Sequence, residues 1–356
     1  MNRALLVFPG RGSYSAPELG TLGRIAESSS DARAVVAEVA AAIDAPRARR
    51  GLPSVLELDA AAKLDPALHL AGENASALIV ACGLVDARLV ERGGALAPCG
   101  FVGNSLGFYT ALAAAGSLSL ADVATLIDEV TALQKERGRG GQTIYPLVDD
   151  KTWLRDVAKE VQIELALAEV PGARLSVELG AFAVLAGDDT SLDRLDALLP
   201  RVLHGGREYP VRLKGHLAFH TELLAPVAES ARERLAGLAW RAPRAHVVTG
   251  TAEVVSPWSC DTAALAAYTL GPQITTTFRL ATALRVGLRE LAPELVVLAG
   301  PGESIGGAIG AAIAADGWRG IRSKDEFTAR QKTDPVVLSL GRADQRLRAL
   351  QATVRA

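Results

Sequence analysis

Pro98-Cys99-Gly100-Phe101-Val102-Gly103-Asn104-Ser105-Leu106-Gly107-Phe108 runs on into Tyr109-Thr110-Ala111-Leu112-Ala113-Ala114-Ala115-Gly116. The first six residues read as a short buried strand. Those after Ser105 are small and apolar enough for a buried helix, with Gly116 as its stop signal. Between strand and helix stands Gly103-x-Ser105-x-Gly107. A serine on a tight strand-to-helix turn needs small neighbours, and its Oγ then projects from the sheet edge. The helix N-terminus behind it offers free backbone N–H groups to a developing oxyanion. Ser105 is therefore read as a nucleophile on an α/β framework. The alternative is a serine in a glycine-rich turn that merely caps the helix.

The flanking sequence repeats the strand-and-helix theme. Ala4-Leu5-Leu6-Val7-Phe8, closed by Pro9-Gly10, has the pattern of a buried parallel strand feeding a loop. Helices are expected over 31–43, over 73–92 and within 117–138, the last opened by Ser119 with Asp122 three residues on. Residues 46–53 read as an exposed basic connection. The glycine cluster 138–142 marks a boundary. Beyond it, strand-like segments alternate with helices expected over 150–168 and 189–200, up to Arg207–Leu213. That unit suits a small inserted domain with an open sheet. The main pattern resumes with helices over 221–236 and 278–291 and strands at 246–250 and 295–300. The stretch from Asp316 onward is polar and Arg-rich apart from the strand-like 335–341.

Composition narrows the classes. At 356 residues, the chain has room for about two domains of roughly 150 residues each. With 49% hydrophobic and 22% charged residues it builds a core rather than staying disordered. A formal net charge of -2 argues against the electrostatic footprint of a nucleic-acid binder. The apolar stretches 75–90 and 303–315 are interrupted by polar residues or glycine, so no membrane span is expected. The N-terminus lacks a signal-peptide h-region. Cys82, Cys99 and Cys260 fit neither a disulfide framework nor a metal site, which points to a reducing cytosol.

A serine nucleophile needs a base, and five histidines are on offer. His69, His204 and His246 lie in an apolar, a loop and a strand setting. His216 and His220 share Gly215–Leu224 at a helix entrance, and spacing does not separate them. An i, i+4 histidine pair also suggests metal, but no Glu lies inside it as in H-E-x-x-H, so no metal site is expected. Phe8-Pro9-Gly10-Arg11-Gly12-Ser13 is either a partial dinucleotide fingerprint or a loop whose N–H groups face Ser105.

These features, in this order, resemble the acyltransferase family typified by malonyl-CoA:acyl-carrier-protein transacylase and the acyltransferase domains of polyketide synthases. The family's FPGQGSQ opening stands here as Phe8-Pro9-Gly10-Arg11-Gly12-Ser13-Tyr14, and its GHSLGE as Gly103-Asn104-Ser105-Leu106-Gly107-Phe108. Its GAFH- or HAFH-like motif stands as Leu217-Ala218-Phe219-His220, and a late VGPG-type turn as Ala299-Gly300-Pro301-Gly302. The resemblance spans roughly residues 4–315. It implies a large α/β-hydrolase-like domain with a mostly parallel sheet, formed by 1–140 and 213–315. Residues 141–212 would be an inserted small ferredoxin-like α+β subdomain, and 316–356 a C-terminal extension of unassigned role.

The resemblance selects His220 over His216 and implies a ping-pong reaction. Ser105, deprotonated by His220, takes an acyl group from a thioester, with the backbone N–H groups of Leu106 and Arg11 as oxyanion hole. A carrier-protein phosphopantetheine thiol then receives it. The histidine is typically oriented by a main-chain carbonyl, expected here within Gly271–Thr277. The implied partners are acyl-CoA or phosphopantetheine thioesters and an acyl-carrier protein. No bound cofactor, a cytoplasmic location and a monomer are expected.

The departures gather around one pocket. Malonyl-using members place an arginine about 25 residues after the nucleophile to pair bidentately with the substrate carboxylate. The residue at that spacing is Val130, beside Asp128 and Glu129. A buried carboxylate without its cation costs about several kcal/mol, so an uncharged acyl group is expected instead of malonyl. The competing reading has Arg11, in place of the family's glutamine, supplying the cation from the opposite wall. Tyr14, Asn104 and Phe108 also replace polar family residues, and together with Val130 and Phe219 are expected to line the substrate pocket. A thioester hydrolase of the same fold, a non-catalytic carrier-docking homologue and an ordinary α/β-hydrolase are the other readings. The Arg-rich stretches 46–50 and 201–212 are candidate docking surfaces for an acidic carrier protein.

Overall fold

The computed structural model describes residues 1–350. Its strands are β1 (Asn2–Phe8), β2 (Leu96–Gly103), β3 (Gly141–Pro146), β4 (Arg174–Glu178), β5 (Phe182–Gly187), β6 (Val202–His204), β7 (Arg207–Tyr209), β8 (Val211–Arg212), β9 (His246–Val248), β10 (Val254–Val255), β11 (Phe278–Arg279), β12 (Leu295–Leu298) and β13 (Val337–Ser339). The run Ala4–Phe8 is apolar throughout because both its faces are covered, and β1 accordingly lies inside the sheet β10-β9-β2-β1-β12-β13. All its pairings are parallel except β10 on β9. Ser105 follows the carboxyl end of β2, where open parallel sheets present their sites.

A second sheet, β11-β4-β5-β3-β8, forms the smaller unit. Neighbours in the run β8-β3-β5-β4 are antiparallel, and helices Val157–Glu169 and Asp189–Leu198 supply the connections across it. Tyr145, Leu185, Leu192 and Leu195 centre a core of its own. The small sheet is nonetheless stitched to the large body. β11, from the later part of the chain, pairs in parallel with β4 through Phe278↔Val177.

Local chemistry shifts several expected boundaries. The helix expected from 150 begins at Val157. Before it, Asp149 Oδ1 accepts from Lys151 N, Thr152 N and Thr152 Oγ1, a turn that competes with helix. The helix expected over 31–43 runs Ser30–Arg49, so 46–53 is not wholly an exposed connection. Arg47 is 2% exposed and donates to Glu73 O, Pro53 O and Asn74 Oδ1. Arg50 pairs with Asp128 at 3.0 Å. A docking surface at 46–50 thereby loses two cations to internal bonds.

The segment after Asp316 packs into the large body. β13 extends the main sheet beside β12, and helix Ala343–Leu350 brings Arg346 onto Asp86. Asp86 is fully buried on helix Gly72–Gly93, and its other oxygen accepts from Gly300 N at 2.7 Å. Residues 351–356 of the expected extension lie outside the described residues. Among the described residues, no helix is long and apolar enough to cross a membrane.

Candidate active site

The elbow at Ser105 is held by steric necessity. Ser105 takes φ 53°, ψ -110°, a conformation that L-residues rarely adopt. A Cβ on Gly103 would stand 2.1 Å from the carbonyl of Gly107, and one on Gly107 would stand 2.3 Å from Phe8 O. Asn104 N donates to Phe8 O at 2.8 Å, and a Cβ on Gly10 would meet Asn104 O at 2.6 Å. The two glycine motifs are packed back to back, and their glycines are the residues that this contact admits.

Ser105 Oγ lies 2.7 Å from His220 Nε2. His220 Nδ1 lies 2.8 Å from Gln273 O. A carbonyl only accepts, so Nδ1 carries the proton and Nε2 of the neutral ring is left to accept from the serine hydroxyl. His220 N donates to Ile274 O at 2.8 Å, tying backbone and ring to the same segment. Gln273 Nε2 also donates to Ser105 O, so this residue holds both partners. His216 stands apart, its Nδ1 2.9 Å from Gln142 Oε1. Gln142 Nε2 donates to Ser176 Oγ, which in turn donates to Phe219 O at 2.9 Å. The loop carrying His220 is thus bonded to β3 and β4 of the small sheet.

Burial lowers the pKa of His220 to about 4, with the Gln273 carbonyl opposing. The ring is therefore a neutral base at physiological pH. For a reaction that uses this base, kcat/KM should hold level from pH 7 to about pH 5 and fall along an acid limb near pH 4. A pH–rate profile with its limb at the ordinary histidine value, about pH 6.5, contradicts this assignment.

Beside Ser105 lies a cavity of about 30 Å³. Of the residues expected at the site, Arg11, Leu106, Val130, Phe219 and His220 border it. The backbone N–H groups of Leu106 and Arg11 donate to no acceptor among the described residues. Burial lowers the pKa of the Arg11 guanidinium, with Glu73 opposing, and its Nη2 reaches Leu70 O at 3.5 Å. Asp128 turns to Arg50, and Glu129 to Arg234 at 3.5 Å. The arrangement can deliver a serine oxygen to an electrophilic carbon beside two free hydrogen-bond donors.

Three expected pocket residues do not border the cavity. Tyr14 is buried with its hydroxyl donating to Asp59 Oδ1 at 2.6 Å. Phe108 is turned by its helix into the core, edge-on to Tyr268. Asn104 lies behind the elbow against Gly10. In their place Ser76, Tyr109, Ile127, Thr131, Gln134 and Gln273 complete the wall. Nothing local marks Ser76, which reads in Asn74-Ala75-Ser76-Ala77 as one small helix residue among others.

No family model and no curated protein matches the sequence. Solved structures do match in shape. The malonyl-CoA:acyl carrier protein transacylase of Xanthomonas oryzae superposes with a TM-score of 0.75 at 23% identity, covering 99% of this chain and 98% of its own. A malonyl-transacylase in complex with its type II polyketide synthase acyl-carrier protein gives 0.76 at 18% identity, covering 99% and 100%. The acyltransferase domain from the second module of the salinomycin polyketide synthase gives 0.71 at 22%, covering 99% of this chain and 72% of that one. The chain has the fold of these acyltransferases.

Proposed function

We propose that this chain is an acyltransferase acting through an acyl-enzyme on Ser105. It moves an acyl group other than malonyl from CoA or an acyl-carrier protein onto the phosphopantetheine thiol of a carrier protein, in polyketide or fatty-acid-like biosynthesis. The observation that carries this reading is the line Ser105 Oγ, His220 Nε2, His220 Nδ1, Gln273 O, at 2.7 and 2.8 Å, set beside two free N–H groups. The chemistry follows from it. Ser105 Oγ attacks the thioester carbon as its proton passes to His220 Nε2. The oxyanion is held by the N–H groups of Leu106 and Arg11, each such donor being worth about 10²–10³-fold in rate. Collapse breaks the C–S bond, and His220 returns the proton to the leaving thiolate. In the second half the acceptor thiol gives its proton to His220 and attacks the ester carbon, and Ser105 leaves with that proton.

Val130 borders the cavity at the spacing where the family resemblance implies a carboxylate-binding arginine, and this supports an acyl group other than malonyl. A carrier-protein partner is supported by the fold shared with a transacylase solved bound to its carrier. Donor and acceptor bring their own thiols, so the reaction needs no resident cofactor. We place it in a cytoplasmic monomer.

The test offers a mass-tagged acyl-carrier protein with and without a second, holo carrier. Label should appear on the second carrier. Free acid formed at the same rate with or without the acceptor would make the chain a hydrolase. Malonyl-CoA should acylate Ser105 far more slowly than acetyl-CoA, and efficient malonylation would remove the restriction on the acyl group. If malonylation then fails in Arg11→Ala, the arginine of the opposite wall is the carboxylate reader.

A further inference from the structure

We infer that Ser76 reads the acyl group, and that this group is a short chain bearing one uncharged oxygen, a hydroxyl or a keto group. The inference rests on the acyl-enzyme reading above and names its substrate class. Ser76, on helix Gly72–Gly93, borders the cavity beside Ser105. It is 1% exposed, and its Oγ has no hydrogen-bond partner among the described residues. Helical serines ordinarily satisfy such a hydroxyl on the carbonyl one turn back. Thr131, on the same cavity wall, does so, its Oγ1 donating to Ile127 O at 2.8 Å and Asp128 O at 2.9 Å. Ser76 does not. Tyr109 borders the same space, and its hydroxyl likewise makes no hydrogen bond among the described residues.

The Ser76 hydroxyl is already out of solvent with nothing to bond, the costly way to bury a polar group, and a hydrocarbon chain in the cavity would leave it so. An oxygen on the chain removes that cost. Charge on the oxygen is disfavoured at this end. The cleft that adjoins the cavity through Ser76 and Thr131 is bordered by Arg47, Glu73 and Asp128. Arg47 is spent on Glu73 O, Pro53 O and Asn74 Oδ1, and Arg11 stands by Glu73 with its Nη2 on Leu70 O, so an anionic oxygen finds no free cation there. The cavity of about 30 Å³ has room for a short chain.

The experiment compares 3-hydroxybutyryl-CoA with butyryl-CoA, equal in chain length, as acyl donors to the full chain, following the mass of the Ser105 ester with time. The hydroxyacyl thioester should react about tenfold faster, and Ser76→Ala should bring the two rates to within about twofold. Thermal unfolding of Ser76→Ala should match the parent, since no bond is lost. Equal rates in the parent, or a preference untouched by Ser76→Ala, would overturn the role of Ser76 while leaving the acyl-enzyme intact. If no thioester, acetyl-CoA included, esterifies Ser105, the acyl-enzyme reading falls and this one with it.

Discussion

Ser105→Ala should leave a folded protein that forms no covalent adduct and transfers no acyl group. The parent chain, mixed with a reactive acyl-CoA, should gain the mass of one acyl group; the variant should gain none. Turnover should fall by on the order of 10⁴–10⁶-fold, the scale on which a nucleophile that works as a unit with its base is lost. The oxyanion donors remain in the variant, yet they stabilise only charge that an attacking oxygen has created. Folding should be spared because the strained backbone at φ 53° is set by the packing of Gly103 and Gly107, not by the hydroxyl. An unchanged unfolding midpoint alongside lost turnover is the expected pair of results. Turnover within tenfold of the parent would remove Ser105 from the reaction.

Arg346→Ala should cost about 3–5 kcal/mol of stability, because it strands a fully buried carboxylate. Asp86 would keep only its bond from Gly300 N. Burial already raises the pKa of Asp86, with Arg346 opposing that rise, so removing the arginine raises it further. A carboxyl whose folded pKa lies above its unfolded value favours folding at low pH and loses that advantage as pH rises through the folded pKa. The deficit of Arg346→Ala should therefore shrink between pH 7 and pH 5, and Asp86→Asn added to it should restore most of the stability. Denaturant titrations at the two pH values read both effects. A deficit that ignores pH and is not relieved by Asp86→Asn would assign the loss to packing instead.

The elbow was legible in the sequence because its requirement is local: only glycine fits at 103 and 107, and the strand and helix on either side announce themselves by apolar content. His220 was not legible without the family resemblance, since His216 lies four residues earlier in the same segment; what separates them is a carbonyl far along the chain, at Gln273. The pocket wall was read least well. Tyr14 and Phe108 stand in for polar family residues and are expected at the wall on that ground, but burial draws both aside, one to Asp59 and one to Tyr268. Ser76 sits there because helix Gly72–Gly93 packs beside the elbow helix, a long-range contact with no sequence signature. The basic stretch at 46–50 misled for a related reason. Arg47 lies within a helix and finds carbonyls inside the protein.

The nucleophile and its base belong to different neighbourhoods. Ser105 is clamped between β1 and β2 by glycine packing, whereas His220 hangs from a loop bonded to the small sheet through Gln142 and Ser176. A force that shifts the small unit therefore reaches the proton acceptor through these bonds, and the nucleophile only by way of Gln273, which holds both. A macromolecule bridging the two units would gain leverage on the timing of proton transfer without touching the serine.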